Sequence, residues 1–114
     1  MKKGTSISIP AILERRMKEK ERVIREKGIA LPCAVNARIE EVLFKAMASR
    51  RKPDFQQPEM TMTARRDPDF RAVPKAFYGD GRIHDWLERT ARRYRRNKSE
   101  VARAVLWTWV KEAA

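Results

Sequence analysis

The chain has 114 residues, 42% of them hydrophobic, and 27 Lys and Arg against 15 Asp and Glu, a formal net charge of +12. That length allows one domain, or two very small units sharing a core, because halves of roughly 55 residues are marginal alone. No stretch approaches the ~18 apolar residues of a membrane span, and one cysteine, Cys33, excludes an intramolecular disulfide and, with the single His84, a zinc cluster.

The positive excess is spread evenly. Residues 1–60 carry 14 cations and 8 acids, residues 61–114 carry 13 and 7, so each part holds an excess of six. A disordered basic tail would concentrate its charge at one end. Two equivalent basic lobes on a polyanion fit better. Met1 to Thr5 has lysines but no apolar run behind them, which does not read as a signal peptide. A lone cysteine, which allows no intramolecular disulfide, fits a reducing cytoplasm.

Thr5 to Ile9 alternates, with Ile7 and Ile9 on one face and Ser6 and Ser8 on the other, which predicts a short half-buried strand closed by Pro10. A charged helix is expected from Ala11 to Lys27, with Leu13, Met17, Lys20 and Ile24 on one stripe and Gly28 as its C-cap. A second helix is expected from about Cys33 to Ser49, with Val35, Ile39, Val42, Leu43, Ala46 and Met47 inward.

Residues 50–70 hold three of the six prolines and little periodicity, which reads as a linker. Extended, its roughly 20 residues would reach about 60 Å. Phe55, Met60, Met62 and Phe70 are its candidates for pinning it down. A weaker extended segment follows from Arg71 to Tyr78, interrupted by Pro74, so it must be an edge. Gly79-Asp80-Gly81 reads as a turn. Helix three is expected from about Arg82 to Arg95, with Ile83, Trp86, Leu87, Thr90, Ala91 and Tyr94 inward. Helix four, capped by Ser99 or Asn97, should run to about Ala113 on Val101, Ala102, Val105, Leu106, Trp109 and Val110. Trp107 falls off that stripe and is either a protein contact or a cover for the linker.

The chain thus says nearly the same thing twice. Ala34-Val35-Asn36-Ala37-Arg38-Ile39 opens one amphipathic helix, and Asn97-Lys98-Ser99-Glu100-Val101 opens another about 62 residues later. Strand, helix, helix, with a polar strand face and a capped second helix, resembles the ribbon-helix-helix DNA-binding superfamily. The resemblance covers about 85 of the 114 residues. It implies a mainly α fold with a short two-stranded antiparallel β-ribbon, in a single-chain, pseudo-dimeric form. Its units would be 1–49 and 71–114, joined by linker 50–70, around one shared core.

In that family the ribbon enters the major groove and second-helix starts hold backbone phosphates. Carried over, Ser6 and Ser8 become base readers of the first strand. For the second strand two registers stay open. One aims Ala76 and Tyr78 at DNA. The other aims Arg71, Lys75 and Phe77, and the basic Arg71 and Lys75 are preferred. Lys3, Asn36 and Arg38 in the first unit, and Arg95, Arg96, Lys98 and Ser99 in the second, would hold phosphates. The first unit departs from compact members by about seven extra residues between Pro10 and Asn36, expected as two whole turns of helix.

Tandem, divergent units of this kind are similar to accessory proteins of plasmid transfer. The implied role is non-catalytic duplex-DNA binding in plasmid or T-DNA processing, by a monomer that assists a relaxase or a partition-type ATPase. A repressor or antitoxin of the same fold is the nearest alternative, and a basic helical RNA-binding protein is the alternative of another class. No Gly-rich phosphate loop, metal-ligand cluster or paired carboxylates occurs in the sequence, and His84-Asp85 has no nucleophile placed beside it, so neither an enzyme nor a cofactor is expected.

Overall fold

The computed structural model describes residues 2–29 and 35–112, without the side chains of Lys2, Lys3, Val35, Asn36 and Tyr78. Strand β1 (Lys2–Pro10) runs straight into helix α1 (Ala11–Glu26), and α2 (Val35–Ala48) follows. After a connecting stretch with 3-10 turns at Pro58–Thr61 and Pro68–Phe70, strand β2 (Ala72–Asp80) runs into α3 (Gly81–Tyr94), and α4 (Lys98–Lys111) closes the order. The chain is mainly helical, and β1 and β2 pair antiparallel as its two-stranded sheet.

Both strands meet their helices without a turn. Pro10 fixes φ at −64° and precedes α1. The expected turn at Gly79-Asp80-Gly81 is not there. Asp80 ends the strand and caps α3 instead, its carboxylate accepting the Arg82 N–H at 2.9 Å.

One core gathers both ends of the chain. Ile7 and Ile9 of β1, Leu13 and Met17 of α1, Ile39 and Leu43 of α2, Phe77 of β2, Ile83 and Leu87 of α3, and Val101 and Leu106 of α4 are all buried in it. Neither strand–helix–helix half could bury this surface alone, because each sheet strand and helix stripe needs a facing layer. No helix among the described residues is long and apolar enough to cross a membrane.

The seven extra residues of the first half are distributed differently from two whole turns. Helix α1 has 16 residues against 14 in α3, and the other five fall between Glu26 and Val35. Cys33 lies there, outside the described residues. On α1 the buried stripe is Leu13, Met17 and Glu21. Glu21 is buried because its carboxylate meets Arg38, as described below.

Segment 50–70 folds over α4. The Gln57 side chain is buried and its Nε2 donates to the Ala104 carbonyl at 2.9 Å, while Lys111 pairs with Glu59 at 2.6 Å. Phe70 stacks on Trp107, ring centroids 6.2 Å apart. Trp107 is only 4% exposed, so the linker covers it. Helix α4 is therefore buried on Ala104 and Trp107 as well as on Val101, Ala102, Val105 and Leu106.

Three helices end in the same way. After α1, Gly28 turns left-handed at φ 84°, after α2 Arg50 does so at 54°, and after α3 Arg95 at 55°. In each case the following N–H reaches back five residues, Ile29 to Ile24, Arg51 to Ala46 and Arg96 to Ala91. Glycine is the favoured residue at this position. A Cβ in the left-handed region costs about 1–2 kcal/mol, so arginine at two of the three ends carries strain that glycine would avoid.

Candidate nucleic-acid interface

The ribbon register divides the two strands into faces. Thr5, Ile7 and Ile9 are paired with Phe77, Lys75 and Val73. Thr5, Ile7, Ile9 and Phe77 are buried, so this face looks to the core. The opposite face carries Gly4, Ser6 and Ser8 on β1, and Pro74 and Ala76 on β2. Gly4, Ser6, Pro74 and Ala76 are exposed and Ser8 is half-buried. Among the described side chains this face carries only small groups, so an approaching ligand can come close to the backbone there; Tyr78, paired with Gly4, shares its parity, with a side chain outside the described residues. Because Pro74 has no N–H, its bare nitrogen leaves no donor unsatisfied at the sheet edge.

The preferred register for β2 is thereby corrected. Lys75 lies opposite Ile7 on the core-facing side, and its ammonium pairs with Glu14 of α1 at 2.9 Å. Arg71 stands just before the strand, exposed, with its carbonyl accepting the Ala11 N–H at 3.2 Å. Ala76, the other candidate, faces outward. The cause is Asp80: once it caps α3, strand and helix abut with no spare residue, and parity along β2 is fixed.

Arg38 also moves from the expected surface to the interior. It is 2% exposed, and its Nε donates to Glu21 at 3.1 Å across the α1–α2 contact, with Glu41 as a second carboxylate partner. A buried guanidinium with two carboxylates has no surface to offer a phosphate. The side chains of Lys3 and Asn36 lie outside the described residues.

The start of α4 is the better defined helix terminus. Asn97 is the cap: its Oδ1 accepts the Glu100 N–H at 2.8 Å, and the Glu100 carboxylate accepts the Asn97 N–H at 3.4 Å. Such a capping box satisfies two of the four donors that a helix start leaves over. The N–H groups of Lys98 and Ser99 have no acceptor among the described residues. Ser99 serves the ribbon instead of the cap, its hydroxyl accepting the Ser8 N–H at 2.9 Å. That bond anchors the helix start to the edge of β1 beside the outward serine. Arg95 is exposed beside it. Arg96 is committed to Glu100 at 3.0 Å and lies over the Phe55 ring at 4.5 Å. Replacing Asn97 by Ala should cost about 1 kcal/mol of stability in a denaturant titration, and should loosen the ribbon edge through Ser99.

Two carboxyls hold the ribbon to its helices. Burial opposes ionisation of Glu14, but hydrogen bonds and charge from Lys75 and Lys18 outweigh it and keep its pKa below the usual 4.5. The Arg82 side chain and backbone N–H bring Asp80 down from 3.8 to about 2. Both groups are therefore more acidic folded than unfolded, so their stabilisation is complete above the unfolded values and is lost as pH falls through the folded ones. The thermal midpoint should drop between about pH 4 and about pH 2. Asp80→Asn, an uncharged cap, should flatten that decline in melts followed by circular dichroism.

His84, Asp85 and Glu88 place ligand atoms within 4.8 Å of one another. His84 Nδ1 is 3.4 Å from the Thr5 hydroxyl and Nε2 is 3.3 Å from Glu88, so both ring nitrogens already have protein partners. No family model, curated protein or solved structure matches the chain.

Proposed function

We propose that the chain is a single-chain double ribbon-helix-helix protein that binds duplex DNA. The ribbon would lie in the major groove and the α4 start on a flanking phosphate. The observation that carries this reading is the outward ribbon face of Gly4, Ser6, Ser8, Pro74 and Ala76, small groups with no role in the core. A two-stranded ribbon fits the major groove. The unsatisfied N–H groups at Lys98 and Ser99, beside exposed Arg95, suit a phosphate oxygen. Equal nine-residue strands, each followed by two helices, support the paired-unit reading.

Among the described side chains the outward groups differ between strands: hydroxyls on β1, a methyl and a proline ring on β2. A hydroxyl can serve any base edge with a donor or acceptor, whereas a methyl suits the thymine C5-methyl. The bound site is accordingly non-palindromic. The chain acts as a non-catalytic accessory factor in plasmid or T-DNA processing and conjugative-type transfer, in the bacterial cytoplasm, with a relaxase or partition-type ATPase as its partner. Selection of bound sites from random duplexes should return an asymmetric motif. Ser6→Ala with Ser8→Ala should change preference in one half only, by about 1–3 kcal/mol at the affected pair. A palindromic motif, or one unmoved by these changes, would count against the reading.

A further inference from the structure

A second basic groove lies away from the ribbon. It runs between the outer face of α3 and the end of α2, encloses about 560 Å³, and contains no ribbon residue. Its cations are Arg50, Arg51 and Lys52 from the α2 end and Arg89 and Arg93 from α3, and Trp86 and Tyr94 form its aromatic wall. All five are exposed; Arg51 pairs with Glu112, and among the described residues the other four have no carboxylate partner. The groove has no acidic lining residue among those described. Some cations elsewhere on the surface are neutralised, as Arg22 is by Glu19 and Glu26 and Lys45 by Glu41. Glu40, whose side chain would be met by a Cβ on Gly79 of β2, is ten residues before Arg50, about 15 Å along the helix. The groove is therefore a separate surface from the ribbon's outward face.

Arg50 is the most telling member. It occupies the left-handed position after α2 that Gly28 fills after α1. Strain of this kind at a charged residue is a pointer to function. The aromatic rings narrow the choice of polyanion. Trp86 and Tyr94 are half-buried, and the Arg93 guanidinium lies 6.0 Å from the Tyr94 ring centre. Duplex DNA keeps its base faces stacked inside the helix and can offer such rings nothing. An unpaired strand offers both a charged backbone and open base faces, and cationic grooves with aromatic walls bind it through both.

We propose that this groove is a second binding site, which takes single-stranded DNA: phosphates on Arg50, Lys52, Arg89 and Arg93, bases against Trp86 and Tyr94. The site stands whether or not the ribbon reads duplex.

The test uses the full chain and a fluorescent oligo-dT, followed by anisotropy in low salt, with oligo-U and a duplex hairpin as the other arms. Oligo-dT should bind at micromolar protein. Arg50→Gly and Arg93→Gln should each weaken it several-fold and lower the salt slope by roughly 0.7. Arg50→Gly should at the same time keep or raise the melting temperature, which separates lost binding from lost folding. Oligo-dT carrying 5-iododeoxyuridine should photocrosslink to Trp86 or Tyr94, and Ser6→Ala, on the ribbon, should alter duplex binding without moving oligo-dT affinity or the crosslink. The proposal is overturned if oligo-dT fails to bind at 50 mM salt, if Arg50→Gly and Arg93→Gln bind it like the parent, if the duplex displaces it one for one, or if oligo-U is clearly preferred. Duplex affinity measured on the same variants reports on the ribbon independently.

Discussion

Glu21→Ala is expected to lower stability by up to about 3–5 kcal/mol, because it removes the buried carboxylate at the Arg38 Nε and leaves the interior guanidinium only the partly exposed Glu41. Both side chains are 3% exposed, and the pair ties α1 to α2 at 3.1 Å. Against a total of about 5–15 kcal/mol for a domain, that is a large share of the stability, and at the low end of the range it unfolds a substantial part of the population. Arg38→Ala should cost a similar amount, with Glu21 then the uncompensated charge. Glu41 also loses its contact with Arg38 but keeps Lys45 at 3.0 Å. Glu21→Leu combined with Arg38→Met should recover most of the stability or exceed it, since buried pairs exchanged for apolar side chains of similar volume are often neutral or better. Urea titrations of the two single variants and the double variant check this. A single variant that stays within 1 kcal/mol of the parent would mean that the pair is far less buried than described. Were Arg38 a phosphate contact instead, its loss would weaken DNA binding and leave folding nearly intact, so the same variants separate the two roles.

The second large effect is on binding. With a net charge of +12 and six to ten phosphates neutralised, duplex affinity should fall by about 10³–10⁵ between 50 and 200 mM salt. Neutralising Arg95 and Lys98 to Gln should weaken all duplexes alike and reduce the salt slope by about 0.9 for each phosphate contact removed. Arg96→Gln should do less, because Arg96 is held by Glu100 and Phe55. The comparison among these three neighbours tests whether geometry or mere charge sets the contact.

Much of the fold could be read from local pattern. Ile7 and Ile9 alternate cleanly with serines, and they are buried in the ribbon's inner face. Ile83, Leu87 and Ala91 repeat at helical spacing, and they are buried along α3. The unread parts depend on contacts between residues distant in sequence. Arg38 resembles any surface arginine until Glu21, 17 residues earlier, is brought opposite it. Trp107 lies off the apolar stripe of α4 and joins the core where Phe70 comes back over it. The facing of β2 turned on one residue: Gly79-Asp80-Gly81 suits a turn equally well, and only the Asp80 bond to the Arg82 N–H shows that strand passes directly into helix. The outward β1 serines were legible, whereas Lys75 drew attention by its charge and lies on the other face, beside Glu14.

The identity of the polyanion is the central question, and a competition titration addresses it most directly. A labelled duplex recovered by selection, held by the intact chain at low micromolar protein, is challenged with unlabelled duplex and with structured RNA across 50–200 mM salt. Duplex binding through the ribbon predicts that cognate duplex displaces the label, that structured RNA does so only weakly, and that Ser6→Ala with Ser8→Ala erases the preference for cognate over random duplex. Clear preference for RNA, or no salt-dependent duplex binding at that concentration, would contradict it.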